Sequence, residues 1–585
     1  MLNWNNILIS TISFFSETTI AMAKKIIIIG GSAAGPKAAS KARRLDQQAE
    51  ITIIQKGQFL SMASCGFPYY VGGVFDRQSQ MVKDPTSFLN IKNINAITNT
   101  EVTGIDRERK LVHTKNLTNN EESIYPYDKL VLATGSVPII PPIPGIDLDG
   151  VTTLQSVEDA QYLKGRVRSG EIKHAVVIGG GLIGIETAEA MQLAGIKVTV
   201  VERLPQILTF MDWDMAKLVE DHIRSKGSQV ISEKAVTEIT GEDGKVTGVN
   251  LEDGQHLPCQ LVLMSVGVRP NSVLAREAGL ELGLRAGVKV NQHLQTSDPD
   301  IYAAGDCIEL KNIINGEATW LPMGDSANLQ ARVIGQNIIA EQPTVNYPGV
   351  VMTAICQAFD YTVANTGLSE QYARKKGFPE VISIIYAGQD KPAFMGAKQV
   401  IFKLVADKKT GKFLGMQAVG PGDVSKRIAM AAMALHAGMH ISDLVSLDLP
   451  YAPPYSPAID NFIAAAHVLE NKFLGRMNGI KAAELKEKSQ NGRNYFLIDV
   501  RNQDEFEDCR LDLGEVLIPL PSLRKRTGNL PTDKNAEIIL FCKVSLRGYE
   551  AATFVQSLGY HNVKVLEGGI SAWPYEMKSS SYNHG

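Results

Sequence analysis

The segment His174-Ala-Val-Val-Ile-Gly-Gly-Gly-Leu-Ile-Gly184 begins as an apolar strand, turns at a run of glycines and continues into a helix that contains Ala188. The next apolar strand, Lys197-Val-Thr-Val-Val201, ends at Glu202. Such glycines allow a tight turn and a close approach of the backbone to a pyrophosphate, and an acidic residue at the end of the second strand accepts hydrogen bonds from a ribose. The segment therefore predicts a Rossmann-like dinucleotide-binding unit whose site residues are Gly179, Gly181, Gly184 and Glu202.

The acidic residue at the end of that second strand also bears on which nucleotide binds. The Glu202 carboxylate would accept from both ribose hydroxyls and repel a 2′-phosphate, which favours NADH. Arg203 follows it and could hold that phosphate, so NADPH remains an alternative. A glycine-rich turn that binds nothing is the other alternative, and a second copy of the pattern in the same chain argues against it.

The other copy of the pattern lies near the amino end of the chain. Ile26–Ile29 is an apolar run, typical of a parallel strand buried on both faces, and Gly30-Gly-Ser-Ala-Ala-Gly35 leads from it into an alanine-rich helix. A serine replaces the middle glycine and crowds the approach to a pyrophosphate, while the next strand ends in an uncharged glutamine that can still hydrogen-bond a ribose hydroxyl. This copy predicts a second dinucleotide site at Gly30, Gly31, Ser32, Gly35 and Gln55.

Length and composition bound the remaining classes of function. The 585 residues predict several domains, and a net charge of −3 gives no electrostatic footprint for nucleic acid or an anionic membrane. Residues 1–23 are interrupted in their apolar character and lack a basic start, which predicts a disordered extension, with a weak export signal as the alternative. No segment reaches membrane-spanning length. Six scattered cysteines lack zinc-ligand spacing, so we expect no metal site and a reducing, cytoplasmic location.

Two further segments resemble those of the FAD/NAD-linked disulfide oxidoreductase family. Tyr127–Gly135 ends in Ala133-Thr134-Gly135, and Ile301–Asp306 ends in Gly305-Asp306. The resemblance implies that the amino-terminal unit binds FAD, that the second unit binds NADH, and that Asp306 contacts the ribityl chain and pyrophosphate region of the flavin. It also implies that Ala133, Thr134 and Gly135 lie at the cofactor site, where the FAD and NAD domains are connected.

Two segments near the carboxyl end resemble a rhodanese domain. Phe496-Leu-Ile-Asp-Val-Arg501 is a predicted strand, and Ile538-Ile-Leu-Phe-Cys542 is a buried strand that ends in cysteine. Together the resemblances imply an α/β fold with two Rossmann-like dinucleotide-binding domains, an α+β dimerisation domain and a C-terminal α/β rhodanese domain. The predicted boundaries are 24–150 and 297–345 for the FAD domain, 151–296 for the NAD domain, 346–470 for the dimerisation domain, 471–490 for a Lys/Glu-rich linker and 491–580 for the rhodanese domain.

One cysteine, Cys65, lies in Phe59-Leu-Ser-Met-Ala-Ser-Cys-Gly-Phe-Pro-Tyr-Tyr-Val-Gly-Gly73, directly after the second strand of the first unit. Dithiol members of the family carry a second cysteine five residues further on, where this chain has Tyr70. A single thiol instead forms a sulfenic acid, a mixed disulfide or a persulfide. We expect a flavin and a helix dipole to lower the pKa of Cys65, and a buried structural cysteine is the alternative.

The context of Cys65, together with the rhodanese-like end, resembles the coenzyme A disulfide reductase–rhodanese fusions, also described as NADH-dependent persulfide reductases. The resemblance implies that electrons pass from NADH through FAD to Cys65, which attacks coenzyme A disulfide or persulfide. It implies a homodimer in which Tyr451 reaches Cys65 of the other protomer, while another family tyrosine is missing from Ala393-Phe394-Met395-Gly396. The implied substrate contacts are Lys37, Lys41, Arg44, Ser61, Ser64 and Lys92, with ordinary surface charge as the alternative for the cations.

In the rhodanese-like region, Cys542 begins a loop that ends at Arg547. Backbone N–H groups of such a loop, at a helix N-terminus, form an anion cradle that would stabilise a thiolate or a bound persulfide. The resemblance therefore implies sulfur transfer at Cys542, with an inactive docking module as the alternative. Two other functions stay open for the whole chain: an NADH oxidase or peroxidase that uses a Cys65 sulfenate, and a flavoprotein whose thiols sense the redox state.

Overall fold

The computed structural model describes residues 23–492 and 494–579. The predicted extension over residues 1–23 therefore lies outside the described residues, except for Ala23. Over these two ranges, no helix is both long enough and apolar enough to cross a membrane.

The chain runs through a first α/β unit, then through a second, and then returns to the first. The first unit contains strands β1 (Lys25–Ile29), β2 (Glu50–Ile54), β3 (Asn95–Ile97), β4 (Thr100–Asp106), β5 (Leu111–Asn116), β6 (Glu122–Pro126), β7 (Lys129–Leu132) and β8 (Ser136–Pro138), with helices α1 (Ala34–Leu45), α2 (Phe67–Val71) and α3 (Pro85–Lys92). The second unit contains β9 (Val151–Thr152), β10 (His174–Ile178), β11 (Lys197–Val201), β12 (Gln229–Ile231), β13 (Val236–Glu242), β14 (Lys245–Leu251), β15 (His256–Pro258), β16 (Leu261–Met264) and β17 (Val268–Pro270), with α4 (Val157–Arg168), α5 (Leu182–Leu193), α6 (Trp213–Ser225) and α7 (Val273–Glu277). The returning segment contains β18 (Ile301–Ala303), β19 (Leu310–Lys311), β20 (Ala318–Thr319) and α8 (Gly324–Asn337).

Both units are built on a five-stranded parallel sheet. The strand order is β18-β7-β1-β2-β3 in the first unit and β12-β11-β10-β16-β9 in the second. The central strands β1 and β10 are buried over their apolar residues because both faces of such a sheet are covered. Each glycine-rich turn follows its central strand, at the carboxyl edge where ligands bind in open α/β sheets. The antiparallel pair of β8 and β17 connects the two units.

The carboxyl-terminal part of the chain forms two more units. The third contains β21 (Ala354–Ala358), β22 (Tyr361–Gly367), β23 (Val381–Gln389), β24 (Gln399–Asp407) and β25 (Phe413–Gly420), with α9 (Glu370–Lys375), α10 (Val424–His436), α11 (Ile441–Leu444) and α12 (Asn461–Phe473). The fourth contains β26 (Gly479–Ile480), β27 (Phe496–Asp499), β28 (Cys509–Arg510), β29 (Val516–Leu517), β30 (Ile538–Phe541), β31 (Val563–Leu566) and β32 (Lys578–Ser579), with α13 (Ala482–Gln490), α14 (Gln503–Asp508), α15 (Leu520–Leu523) and α16 (Leu546–Ser557).

These two units differ in the direction of their strands. The third unit is an antiparallel sheet of order β21-β22-β25-β24-β23. The fourth is a parallel sheet of order β26-β31-β30-β27-β29. The first, second and fourth units have parallel sheets and the third has an antiparallel sheet, which confirms the predicted α/β fold class.

Residues 471–490 differ from the solvated linker that their Lys/Glu-rich composition predicts. Within them, β26 pairs in parallel with β31, at the edge of the sheet of the fourth unit. Ile480, Ala482 and Leu485 are buried in one apolar cluster with Phe541 and Trp573. The charged residues occupy the outer face of a short amphipathic helix, and its few inward apolar residues gave too sparse a pattern to predict packing.

A buried cluster of charges joins the second, third and fourth units. Lys403 on β24 has a side chain that is 3% exposed, and its ammonium nitrogen lies 2.7 Å from Asp214, 3.1 Å from Asp212 and 3.2 Å from Glu370. Glu370 in turn accepts a 2.6 Å hydrogen bond from Lys481 of the fourth unit. The fourth unit is therefore joined to the rest of the protein by a partly buried ion pair, in addition to its chain connection.

Candidate functional site

The first glycine of each dinucleotide motif has a backbone conformation that favours glycine. Gly30 has φ of +110° and Gly179 has φ of +108°. A β-carbon at Gly30 would lie 2.0 Å from the Ala133 carbonyl oxygen, and one at Gly179 would lie 2.2 Å from the Ser265 carbonyl oxygen. Both turns therefore press their backbone against the neighbouring strand, as the sequence pattern requires.

The last glycine of each motif allows the helix to start close to the strand. A β-carbon at Gly35 would lie 1.9 Å from the Gly30 carbonyl oxygen, and one at Gly184 would lie 2.2 Å from that of Gly179. Neither α1 nor α5 has a side-chain cap or an acidic residue in its first turn. The first-turn amides of both helices are thus left for an anion, which is the arrangement that holds a pyrophosphate. The residues present fit both dinucleotides in this respect.

The middle position of the motif differs between the two copies. Gly181 is the N-cap of α5, and a β-carbon there would meet no atom within 4 Å. At the matching position, the Ser32 hydroxyl donates a hydrogen bond to the Met62 carbonyl oxygen at 3.5 Å. The serine side chain is therefore directed towards the segment that carries Cys65.

The residues at the two strand ends hold the glycine turns in the same way. Gln55 Oε1 accepts a 2.8 Å hydrogen bond from the Gly31 amide, and Glu202 Oε2 accepts one of 2.8 Å from the Gly180 amide. Glu202 Oε1 also accepts from the Leu204 amide at 2.9 Å. Because only an acceptor is needed for this contact, a neutral amide serves at Gln55 where the other copy has a carboxylate.

The segment Ala133-Thr134-Gly135 lies at the crossing between the first two units. The Thr134 hydroxyl donates to the Asn271 carbonyl at 2.6 Å, and the Asn271 amide donates to the Gly135 carbonyl at 2.9 Å. Ala133 follows β7, beside the turn at Gly30. These residues therefore tie the return strand β17 to the edge of the first sheet.

Asp306 lies beyond the end of β18 and is enclosed by neighbours. Ser136 donates to Asp306 Oδ2 at 2.8 Å, and the Trp320 indole donates to the Asp306 carbonyl oxygen at 2.8 Å. Burial raises the pKa of this carboxyl group, and the bond from Ser136 acts in the opposite direction. The Ser136 contact was not predicted, since the serine carries no motif of its own.

Cys65 lies in a short 3₁₀ turn, Ser64–Gly66, between β2 and α2. Phe67 is 1% exposed and Pro68 occupies the first turn of α2, so the helix after the cysteine is anchored and stiff. The cysteine itself is exposed. A β-carbon on Gly324, the first residue of α8, would lie 3.9 Å from its sulfur. The thiol therefore opens towards the amino end of α8.

The pKa of the Cys65 thiol differs from the expected lowering. Although the residue is exposed, packed neighbours desolvate its sulfur and raise the pKa above its ordinary value. The carboxylates of Glu186 and Asp306 raise it further because they disfavour a second negative charge. The groups that the protein itself supplies therefore raise this pKa, and the lowering expected near a flavin stays a prediction.

Two residues near the cysteine were missed by the sequence analysis. Glu186 lies in the first turns of α5, and Tyr69 on α2 donates to its Oε1 at 3.2 Å. Burial raises the pKa of Glu186 to about 7 and also raises the pKa of Tyr69. The only sequence signal is an acidic residue two positions after the last glycine of the motif. The pair spans the first and second units, so sequence spacing cannot reveal it.

Three of the six predicted substrate contacts form a cationic cluster. Lys92, in the last turn of α3, donates to the Ser40 hydroxyl on α1 at 2.9 Å. Burial lowers the pKa of Lys92, and the charges of Arg44 and Lys37 lower it further, so the three cations lie within electrostatic reach of one another. Cations in such proximity favour a bound anion.

The other three predicted contacts lie elsewhere. The stem of Lys41 packs against Gly335 on α8, where a β-carbon would approach it to 2.6 Å. Ser61 has φ of +52°, and its amide donates to the Gly31 carbonyl at 2.7 Å. Ser64 begins the turn that contains Cys65. The two serines thus lie in the same segment as Cys65, while Lys41 lies in the contact between α1 and α8.

Tyr451 is on the proline-rich loop between α11 and α12 and is 55% exposed. In the part of the chain that the structure describes, no hydrogen bond joins its side chain to Cys65. Tyr455 on the same loop is 71% exposed, and Phe394, between β23 and β24, is 78% exposed. The third unit therefore exposes aromatic side chains on both of these segments.

The rhodanese-like loop brings Cys542 and Arg547 together. Cys542 is buried at the end of β30, and the Arg547 guanidinium in the first turn of α16 faces it. Arg547 also donates two 2.7 Å hydrogen bonds to the two carboxylate oxygens of Glu505. These bonds lower the pKa of Glu505 to about 2 and raise that of Arg547. Glu505 was missed because it lies 42 residues before its partner.

The four remaining cysteines show no comparable arrangement. Cys259, Cys307 and Cys356 are buried, and burial raises the pKa of each thiol. Cys509 is partly exposed, and its pKa is raised by burial as well. Over residues 23–492 and 494–579, no group of three or more histidine, cysteine, aspartate or glutamate side chains is placed to hold a metal ion.

Comparison with known families assigns the units. The family described as pyridine nucleotide-disulphide oxidoreductase matches residues 24–327, which is more than half of the chain. Its dimerisation domain matches residues 353–462, and a rhodanese-like domain matches residues 481–575. The rhodanese-like match begins inside the predicted linker, directly after β26, which pairs with β31 in the fourth sheet, and it includes α13.

Two individual relatives match about three quarters of the chain. A protein of Pyrococcus horikoshii named NAD(P)H coenzyme A polysulfide/persulfide reductase is 33% identical over 450 residues, which cover 77% of this chain and 99% of the relative. An NADH oxidase of Methanocaldococcus jannaschii is 35% identical over 434 residues, which cover 74% of this chain and 95% of the relative.

Two solved structures resemble nearly the whole chain. An NAD-dependent persulfide reductase from A. fulgidus has a TM-score of 0.89 and 38% identity, covering 94% of this chain and 100% of that protein. Reduced CoADR-RHD from Bacillus anthracis has a TM-score of 0.88 and 34% identity, covering 94% of this chain and 98% of that protein. The chain therefore belongs to the pyridine nucleotide-disulphide oxidoreductase family, with a rhodanese-like domain fused after the dimerisation domain.

Proposed function

We propose that this protein is an FAD-dependent oxidoreductase that uses NADH to reduce coenzyme A persulfide or disulfide at Cys65 and transfers sulfane sulfur at Cys542. The observation that carries the proposal is the presence of two separate thiol sites in one chain. Cys65 is exposed in a turn beside the first dinucleotide unit, and Cys542 lies in a loop faced by Arg547. The names of the persulfide reductases among the relatives support the same activity.

The chain's own residues would bind and orient two nucleotides. When bound, FAD accepts a hydride from NADH and delivers two electrons to sulfur. The first-turn amides of α1 and α5 would bind the two pyrophosphates. Glu202 would favour NADH over NADPH, since its carboxylate would repel a 2′-phosphate. The proposed cofactor contacts are Gly30, Gly31, Ser32, Gly35, Gln55, Ala133, Thr134, Gly135 and Asp306 for FAD, and Gly179, Gly181, Gly184 and Glu202 for NADH.

At Cys65, the proposed step is a nucleophilic displacement. The thiolate attacks one sulfur of coenzyme A disulfide, which forms a mixed disulfide with Cys65 and releases coenzyme A as its thiolate. With the persulfide, the same attack releases either coenzyme A or a hydrosulfide. Tyr451 of the partner subunit would supply the proton to the leaving sulfur. Ser61 and Ser64 precede Cys65 in the same segment and would orient the substrate's thiol end.

The cationic cluster supports coenzyme A as the carrier of that sulfur. Lys37, Arg44 and Lys92 would pair with its phosphate groups, which cations recognise through charge-assisted hydrogen bonds. Lys41 would contribute less, because its stem packs against α8.

A homodimer is proposed from the dimerisation domain and from the exposed aromatic surface around Tyr451 and Phe394. The six free cysteines suit a reducing, cytoplasmic location.

The test is a comparison of electron acceptors. NADH oxidation by the FAD-loaded protein is measured with coenzyme A persulfide, coenzyme A disulfide, oxygen and peroxide. The proposal expects the highest kcat/KM with one of the two coenzyme A substrates. Fastest turnover with oxygen or peroxide would favour an oxidase, as the name of the Methanocaldococcus relative suggests, and no turnover with any acceptor would favour a redox sensor.

A further inference from the structure

The fourth unit is bonded to the dimerisation domain directly behind the loop of Cys542. Lys472, in the last turn of α12, forms an ion pair with Glu567, and its ammonium also donates to the Ser383 carbonyl of β23 at 2.8 Å. Glu567 follows β31, its side chain is fully buried, and its amide donates to the Ile480 carbonyl at 3.0 Å. A charged side chain of the dimerisation domain thus reaches into the rhodanese-like domain.

The turn that follows Glu567 holds the backbone of the cysteine loop. The Ile570 amide donates to the Cys542 carbonyl at 3.0 Å, and the Ser571 amide donates to the Lys543 carbonyl at 3.0 Å. A β-carbon on Gly569 would lie 2.4 Å from the Cys542 carbonyl oxygen, so the turn and the loop are in close contact. A displacement of the turn is therefore transmitted to the loop.

The dimerisation domain supports this turn at a second point. A β-carbon on Gly568 would lie 2.8 Å from the Ile385 side chain on β23. Among the described residues, one carboxylate oxygen of Glu567 has no hydrogen-bond partner, and the other accepts from Lys472, whose ammonium balances this buried charge. Without Lys472, the carboxylate would have to move or take up a proton, and the turn would move with it.

We propose that Lys472, acting through Glu567, is a positioning residue for sulfur uptake by Cys542. The rhodanese-like domain then has full activity only while it is docked on the dimerisation domain. The inference rests on the proposed function of Cys542. The step concerned is the attack of the Cys542 thiolate on the outer sulfur of thiosulfate, which forms the cysteine persulfide anion and releases sulfite, with no net oxidation or reduction.

The experiment measures sulfite release from thiosulfate by the full-length, FAD-loaded protein, with cyanide as the acceptor that removes the outer sulfur of the Cys542 persulfide as thiocyanate and so regenerates the thiolate. NADH-dependent reduction of pre-made coenzyme A persulfide is measured in parallel. We expect Lys472→Met to lower kcat for sulfite release about tenfold or more with little change in KM, because a loosened loop misplaces the nucleophile. Lys472→Arg should restore most of this activity. The NADH-dependent reduction at Cys65 should stay at the wild-type rate in both variants.

Two further variants keep the result interpretable. Lys488→Met is the matched control, since its 3.2 Å ion pair with Glu537 lies within the same domain and does not join it to the dimerisation domain; its sulfite release should equal that of the wild type. The double variant Lys472→Met with Glu567→Gln removes both charges and so avoids an unpaired buried carboxylate. It should fold and remain slow in sulfite release, because the ion pair that joins the turn to α12 is still absent.

Wild-type sulfite release by a folded Lys472→Met variant, or by the double variant, would overturn the inference and leave the proposed function intact. An absence of sulfite release from the wild type itself would refute the proposed function of Cys542, and the inference with it.

Discussion

Removal of the Lys403 ammonium tests whether the buried charge cluster holds the units together. In Lys403→Met, Asp212 keeps hydrogen bonds from Gln417 and from the Glu370 and Gln371 amides. Glu370 keeps Lys481 and Arg374. Asp214 loses both bonds from Lys403, at 3.0 and 2.7 Å, keeps the 2.9 Å bond from the Met215 amide, and is left as a 15% exposed carboxylate that has lost this cation.

The expected loss of stability depends on how many carboxylates Lys403→Met leaves without a cation. Breaking a buried pair by removing one partner costs about 3–5 kcal/mol, and we expect about 3 kcal/mol because only one of the three carboxylates is stranded. The loss is measured as the change in the free energy of urea unfolding, followed by tryptophan fluorescence. Lys403→Met combined with Asp214→Asn should recover most of it, since the stranded charge is then gone.

The stability that Glu370 and Lys403 contribute depends on pH in a direction that their pKa shifts determine. The pKa of Glu370 is lowered by Lys403 and Lys481, although burial opposes this. A carboxyl group with a lowered pKa stabilises the folded protein at pH values above its ordinary pKa of 4.5. This stabilisation is lost as the pH falls through the pKa of the folded state. The pKa of Lys403 is raised by its carboxylates, so its contribution is fully present at neutral pH and is lost only as the pH rises through that higher pKa. An unfolding free energy of Lys403→Met equal to that of the wild type at pH 7 would refute the reasoning.

Three further predictions concern the proposed chemistry. Glu202→Ala should raise the ratio of kcat/KM for NADPH to that for NADH about tenfold, because the repulsion of a 2′-phosphate is removed while Arg203 remains; an unchanged ratio in steady-state assays would show that Glu202 does not select the nucleotide. Glu186→Gln should shift the pH profile of Cys65 alkylation by iodoacetamide, in cofactor-free protein, to lower pH, since a carboxylate that raises the thiol pKa is removed; a shift to higher pH would contradict this electrostatic account. Cys542→Ser should abolish sulfite release from thiosulfate and leave reduction of pre-made coenzyme A persulfide largely intact, and equal loss of both activities would show that the two thiols do not act separately.

The fold could be predicted from sequence because its defining features are local. The turns at Gly30 and Gly179 require residues that tolerate positive φ. Each turn follows an apolar strand that is recognisable in the sequence. The ends of the second strands, Gln55 and Glu202, could be located by counting along the chain, and in the structure both hold the glycine turn.

The parts that could not be predicted depend on contacts between distant segments. Tyr69 and Glu186 are 117 residues apart, and Glu505 reaches Arg547 from another helix. The pKa of Cys65 is raised first by desolvation and then by charges from other segments of the chain, so the residues next to it in sequence do not reveal the shift. Residues 471–490 were expected to be a linker because three inward apolar residues are too few to outweigh a charged composition.

The most direct test of the central claim is NADH oxidation by Cys65→Ser with coenzyme A persulfide as the acceptor. The account predicts that this variant retains FAD, keeps the wild-type rate of sulfite release at Cys542 and shows no NADH oxidation above the rate without acceptor. Cys509→Ser, which replaces another accessible cysteine, should behave as the wild type. NADH-dependent reduction of the persulfide by a flavin-loaded Cys65→Ser protein at a rate near that of the wild type would contradict the account.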